Sequence, residues 1–314
     1  MAATRVIFLA GLGRSGTTLI ERVLGQVPGV CAAGELVHLW QRAVLDNERC
    51  GCGRPFDRCP FWTEVGARAF GEWPRPLAEA VLSLRTRVDR SRHLPHLVLP
   101  RAAHPRGGEL ADYLRVYRFL YSAIGTVSGA QVIVDSSKHP SLAFCLRHAP
   151  GLDVRVVHVV RDSRGVAYSW TKETPRPESH GGESLMTRYS PMRSALLWNS
   201  QNASLAVLGR LGMPRLVLRY EDFVRQPEKS LRRIADFANL DIAVSDLDFL
   251  ESDHVELAAT HTVAGNPMRF QTGRIALCRD DAWREQLPRR QRHIISAMTA
   301  PLLSAYGYPI GLPA

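Results

Sequence analysis

Long hydrophobic runs are missing from this chain of 314 residues; none approaches the ~20 needed to span a bilayer, which excludes a membrane-crossing helix. The first apolar stretch is short, has almost no basic residues ahead of it, and breaks at glycine and arginine. It does not read as a secretory signal, so a cytoplasmic protein is expected. Internal repeats and low-complexity tails are absent too, and the 45% hydrophobic content is that of an ordinary globular protein. Acidic excess is lacking: the net charge is +10 and the isoelectric point near 9.7. Such a field favours anionic partners. The basic residues are scattered, mostly arginine, and form no long tract or recognisable nucleic-acid module, so no nucleic acid is expected as a partner.

Cysteine is sparse, six in all, and three of them cluster in Cys50-Gly-Cys52-Gly-Arg-Pro-Phe-Asp-Arg-Cys59-Pro-Phe-Trp62. Three thiols complete no tetrahedral zinc site without a fourth ligand, a histidine for instance. The C-x-C pair also differs from the redox C-x-x-C pattern. A compact loop stiffened by Gly and Pro, with packed thiols, is the favoured expectation. Metal binding is the minority alternative, and a disulfide stays open. No metal ligand is assigned.

What the chain does have is Arg5-Val-Ile-Phe-Leu-Ala-Gly11-Leu-Gly13-Arg14-Ser15-Gly16-Thr17-Thr18-Leu19, an apolar β-branched run ending in a glycine-rich turn. A helical pattern follows at once. Glycines let backbone N–H groups converge on an anion, and a helix N-terminus adds favourable potential. The nucleotide-loop consensus wants lysine after its second glycine. Here that place holds Thr17, and a cation, Arg14, sits inside the loop instead. An anion site with altered chemistry is expected.

Downstream, helices are expected over 18–26, 35–45, 77–88 and 192–211, and around Leu231, Ile234, Ala235 and Ala238. Leu110, Leu114, Tyr117, Tyr121 and Ile124 mark one face of another. Gln131–Asp135, Val154–Val160 and Arg215–Arg219 read as strands. Residues 93–108 look like an exposed connection, and residues 171–190 carry no period and look mobile. Alternating strands and helices imply a three-layer αβα fold around a mostly parallel sheet. Ligands bind such sheets at the carboxyl ends of the strands, where each polar cluster falls.

The second cluster is Val160-Arg161-Asp162-Ser163-Arg164-Gly165-Val-Ala-Tyr-Ser169-Trp170. Arg161 follows a strand directly, where a guanidinium can clamp a phosphate, and Ser169 lies about two turns into the next helix. Together with Gly11–Thr18, this pair resembles the sulfotransferase family, which uses 3′-phosphoadenosine 5′-phosphosulfate (PAPS) as sulfonate donor. The resemblance covers most of the chain and is greatest to the tyrosylprotein and carbohydrate branch. The branch acting on small phenols usually has lysine where Arg14 stands. It implies a P-loop-like fold in a single domain over 1–314, with acceptor-side insertions near 35–108 and 171–190 and a donor-closing segment near 261–280.

By the same resemblance, Gly13, Arg14, Ser15, Gly16, Thr17 and Thr18 hold the 5′-phosphosulfate, and Arg161 with Ser169 the 3′-phosphate. Glu35 resembles the general base, with His38, three residues on, a rival. Lys138 resembles the lysine that stabilises the sulfonate and bridging oxygen, with Arg14 beside it. Tyr220 resembles a tyrosine near the nucleotide. Arg269-Phe-Gln-Thr-Gly273-Arg274 is similar to the closing loop, although Arg269 stands where the tyrosylprotein enzymes have serine. Sulfuryl transfer moves a group of low charge, so fixed cations replace magnesium and no metal is required. The competing expectation is a P-loop kinase, with Val132–Asp135 as its magnesium-holding strand. The acceptor is expected to be a hydroxyl-bearing glycolipid, saccharide or secondary metabolite, rather than peptide tyrosine, because the chain shows no membrane anchor.

Overall fold

A computed structural model describes residues 3–100, 106–175 and 185–311. Its centre is a five-stranded parallel sheet in the order β2-β3-β1-β4-β5. In chain order the strands are β1 (Thr4–Ala10), β2 (Val30–Gly34), β3 (Val132–Lys138), β4 (Leu152–Val160) and β5 (Arg215–Arg219). Alternation along β1 shows why the sheet is covered on both faces. Val6, Phe8 and Ala10 enter one buried cluster, while Ile7 and Leu9 enter another.

Helices α1 (Thr17–Leu24), α2 (Pro60–Phe70), α3 (Arg75–Val88), the single turn α4 (Leu94–Leu97) and α5 (Gly107–Ser128) come before or beside β3. After it come α6 (Pro140–Leu146), α7 (Ser163–Thr171), α8 (Pro191–Arg210), α9 (Tyr220–Arg225) and α10 (Pro227–Ala238). A two-stranded antiparallel hairpin, β6 (His254–Leu257) and β7 (Gly273–Ala276), follows, and α11 (Trp283–Gln286) and α12 (Arg289–Ala305) close the described chain. Leu110, Leu114, Tyr117, Tyr121 and Ile124 of α5 are all buried, as their spacing requires. No described helix is long and apolar enough to cross a membrane.

Three expectations need correction. β2 was not foreseen, and its neighbour segment is not an α-helix: Leu36–His38 is a 3₁₀ turn and Leu39–Leu45 winds as a π-helix. Strand and turn meet at Gly34, whose φ is +90°, and Glu35 N–H is diverted to the Val263 carbonyl at 2.8 Å. The 93–108 connection is not simply exposed: Leu97 is fully buried and its carbonyl lies 3.1 Å from His148 Nε2. Residues 101–105 of that stretch and 176–184 of the segment expected to be mobile lie outside the described residues.

Candidate active site

All five parallel strands end at one cavity of 710 Å³, and each delivers a residue to it. β1 supplies the 11–16 loop, β2 Glu35, β3 Lys138, β4 Arg161, and β5 Tyr220. Convergence of this kind follows from parallel topology, which puts every carboxyl end on the same edge.

The loop after β1 turns sharply because its residues leave no alternative. Gly16 caps α1 in the left-handed region, at φ +86°, and a Cβ there would lie 2.2 Å from the Tyr220 ring. At Gly13 a Cβ would lie 2.8 Å from the Trp170 ring. Arg14 has φ +74°, a conformation a non-glycine residue adopts at some cost. Its guanidinium sits 5.3 Å from the Trp170 ring centroid, and its best acceptor is the soft sulfur of Met186 at 3.6 Å. Burial lowers its pKa. Arg14 Nε and Trp170 Nε1 are buried with no hydrogen-bond partner among the described residues. Orphaned donors beside the open first turn of a helix are the signature of a site built for an anion. Ser15 is buried beneath the loop, with its amide given to the Leu12 carbonyl at 3.1 Å, whereas Gly13, Thr17 and Thr18 face the cavity.

Lys138 ends β3 at φ +67° and forms an ion pair with Glu35. Burial would raise the Glu35 carboxyl, but Lys138, with His38 and Arg42 behind it, overrides burial and holds it down to about 2. His38 Nε2 lies 3.6 Å from the other Glu35 oxygen. Burial depresses both His38 and the neighbouring His139 to about 4, so both imidazoles are neutral at pH 7. The two candidate bases therefore differ in kind: an ionised carboxylate and an uncharged imidazole.

Arg161 donates to the Arg14 carbonyl at 3.0 Å and to Asp280 Oδ2 at 3.1 Å, with its guanidinium 4.9 Å from the Tyr220 ring centroid. Asp162 caps α7 by accepting from the Arg164 amide, and so fixes the turn that aims Arg161. Ser169 lies on the cavity wall.

Two candidates from the C-terminal quarter are not brought there. The Arg269 guanidinium is buried on the carbonyls of Thr262 (2.8 Å) and Arg49 (2.6 Å), and it lies against the Phe270 ring. Arg274 is exposed on β7 and pairs with Glu251 at 2.6 Å. Asn266, Met268 and Asp280 from the same quarter do line the cavity. Neither Asp280 nor Trp170 was singled out beforehand, although Trp170 directly follows Ser169 in the second cluster. Glu21 was missed as well. It lies under the loop on α1, accepting from the Gly34 amide and the Ser136 hydroxyl, both at 2.6 Å. Burial raises its carboxyl to about 7.

The kinase reading fails at Asp135. That carboxylate is fully buried below the cavity, held by Ser137 and by Tyr121 Oη at 2.6 Å, and is not part of the cavity wall.

Comparison with known proteins agrees with this geometry. The family model described as "Sulfotransferase family" matches residues 6–244. The sulfotransferase domain of the Synechococcus PCC 7002 olefin synthase shares 22% identity over 98% of this chain and 96% of that one, with a TM-score of 0.53. The sulfotransferase domain of the curacin biosynthetic pathway shares 16% identity over 98% of this chain and 100% of that one, with a TM-score of 0.50. Both share its P-loop-like αβα fold. No curated protein matches.

Proposed function

This chain belongs to the sulfotransferase family, and on that premise we propose that it moves the sulfonate group of PAPS to a hydroxyl or amine acceptor by in-line displacement. The observation that carries this function is the meeting of the Gly13–Thr18 loop, Lys138, Glu35 and Arg161 in one cavity. PAPS supplies an activated sulfonate whose leaving group is a phosphate. The residues present fit it: orphaned donors at Arg14 and Trp170, and an open helix N-terminus at Gly16–Thr18. The loop and Arg14 would hold the 5′-phosphosulfate, Arg161 and Ser169 the 3′-phosphate, and Tyr220 would flank the nucleotide. Arg161 already grips a carboxylate, Asp280, that a phosphate could replace as its acceptor.

Arg14 and Lys138 neutralise charge that develops on the bridging oxygen, from fixed positions that need no reorganisation. Glu35 takes the acceptor proton. In the resting pair it is ionised but feebly basic. Once Lys138 turns toward the bridging oxygen, its main counter-charge leaves, and burial lifts the carboxyl toward the range where a base works. His38 and His139 stand by as neutral imidazoles on the acceptor side. The acceptor we propose is a small hydroxylic molecule, a glycolipid, saccharide or secondary metabolite.

Two measurements test this. Calorimetry should show adenosine 3′,5′-bisphosphate binding in magnesium-free buffer, and labelled PAPS should pass its label to one component of a metabolite extract. Binding of ATP·Mg²⁺ with indifference to the bisphosphate would overturn the assignment.

A further inference from the structure

The cysteine cluster takes no part in the chemistry above, yet the fold completes it. Cys50, Cys52 and Cys59 meet His261, from a segment some two hundred residues later, with one ligand atom of each within 4.8 Å of all the others. The individual separations are 3.6 Å for Cys50–Cys59, 3.8 Å for Cys52–Cys59, 3.3 Å from Cys59 Sγ to His261 Nδ1, and 3.8 Å from Cys50 Sγ to the same nitrogen. A tetrahedral zinc with Zn–S near 2.3 Å and Zn–N near 2.0 Å has edges of about 3.8 Å between sulfurs and about 3.5 Å from sulfur to nitrogen. The four observed separations fall close to those edges. All three thiols are free cysteines.

Surroundings hold both halves in place independently of the thiols. Trp62 Nε1 donates to the His261 carbonyl at 2.7 Å, and Phe61 stacks on the imidazole at 4.9 Å between centroids, 11° from parallel. Gly51 N–H donates to the Thr262 carbonyl at 2.9 Å, and a Cβ on Gly51 would lie 2.6 Å from the Thr260 carbonyl oxygen. Cys50 and Cys59 are fully buried, and Cys52 and His261 half-buried, so the cluster is closed rather than open to substrate. A closed Cys₃His set belongs to structural zinc, and soft thiolates disfavour magnesium or calcium.

We propose that Cys50, Cys52, Cys59 and His261 bind one structural zinc ion that fastens the 49–59 loop to the segment following β6. Binding displaces to solvent whatever protons the three sulfurs still carry. The strap reaches the cavity through a short path. Two residues beyond His261, Val263 pairs with Gly34 and accepts the Glu35 amide, and a Cβ on Gly265 would lie 3.1 Å from Glu35 Oε1. The metal thus acts as a positioning device for Glu35 and for Asn266, without touching the reacting groups.

The test is metal analysis of untagged protein purified without chelator from zinc-supplemented cells. One zinc per chain is expected, released by a mercurial thiol reagent, and Co²⁺ alone added to stripped protein should give tetrahedral thiolate spectra. His261→Ala and Cys59→Ser should each hold less than about a tenth of the wild-type zinc, while His261→Cys retains it as a Cys₄ site. Glu35→Gln should keep the full metal content, which separates this site from the transfer chemistry. Zinc-free protein with three reactive thiols, or an intact mass short of two hydrogens through a Cys50–Cys59 disulfide, would overturn the proposal. Adenosine 3′,5′-bisphosphate binding, measured on the same samples, reads the donor site separately.

Discussion

The two ends of the cavity are built by different means. The end proposed for the donor, from Gly11 to Thr18 with Arg161 and Tyr220, comes from segments directly after strands, and most of its groups are backbone amides and guanidinia fixed by the sheet. The end proposed for the acceptor depends on segments distant in sequence. Glu35 is backed by Val263 and Gly265, Lys138 approaches from β3, and His38 and His139 line the cavity beside them. On the proposed reading, a phosphate-rich donor would be met by rigid dipoles that need only local geometry. The acceptor proposed would be met by side chains that can be exchanged without disturbing the sheet.

That contrast can be broken most severely at Lys138. Lys138→Ala should lower transfer from PAPS by about 10²–10³-fold with the fold unchanged by circular dichroism, the usual cost of losing one preorganised charge at the transferring group. Near-full activity would remove lysine from the chemistry and leave Glu35 with no displaceable counter-charge. At the donor end, Arg161→Ala should weaken adenosine 3′,5′-bisphosphate by roughly 10–100-fold in calorimetry while adenosine 5′-phosphate changes little, as expected for loss of a charge-assisted bond. Equal losses for both ligands would move the 3′-phosphate elsewhere.

Glu21, which ties β2 and β3 beneath both ends, sharpens the comparison through pH. Its folded carboxyl is raised, so its stabilising contribution is complete below about 4.5 and is lost as pH rises through about 7. Glu21→Gln mimics the protonated acid and should gain stability over wild type across that window, by up to about 3 kcal/mol at the alkaline end in denaturant unfolding. A constant difference would refute the linkage. Glu35 has the opposite sign: its depressed carboxyl contributes stability above the ordinary glutamate range that is lost as pH falls toward about 2. The smallest effect is expected at Arg274→Ala. Its exposed partner Glu251 is worth little, so stability and donor affinity should shift by less than about 0.5 kcal/mol. A tenfold loss of donor affinity would put the hairpin back over the site.

How far the sequence was legible follows the same divide. β1, β3, β4 and β5 each carry a short apolar run rich in valine, isoleucine or leucine, and such runs announce buried parallel strands. The glycine-rich loop and Arg161 follow such strands and Lys138 ends one; position marks out the loop and Arg161, while the roles expected of Arg161 and Lys138 come from the family resemblance. β2 escaped because Val30-Cys-Ala-Ala-Gly34 is short and alanine-rich, with little β-branching to mark it. Apolar spacing after Glu35 signalled helix, and the chain does wind there, but in 3₁₀ and π turns. No local pattern ties Cys59 to His261 or Arg269 to the carbonyls of Thr262 and Arg49, because those contacts are decided by packing between remote segments. An arginine and a histidine look alike in a sequence whether they face a ligand or hold a loop.

The resting Glu35–Lys138 pair has a further consequence for waste. Water is also a hydroxyl and is far more abundant than any acceptor. A carboxylate whose proton affinity is suppressed to about 2 activates water poorly for as long as Lys138 stays paired with it, so in the proposed mechanism the resting pair would be idle toward water. Under the proposed mechanism the lysine leaves that pair only when it turns toward the bridging oxygen, so the timing of the base would be lodged in one movable ammonium group.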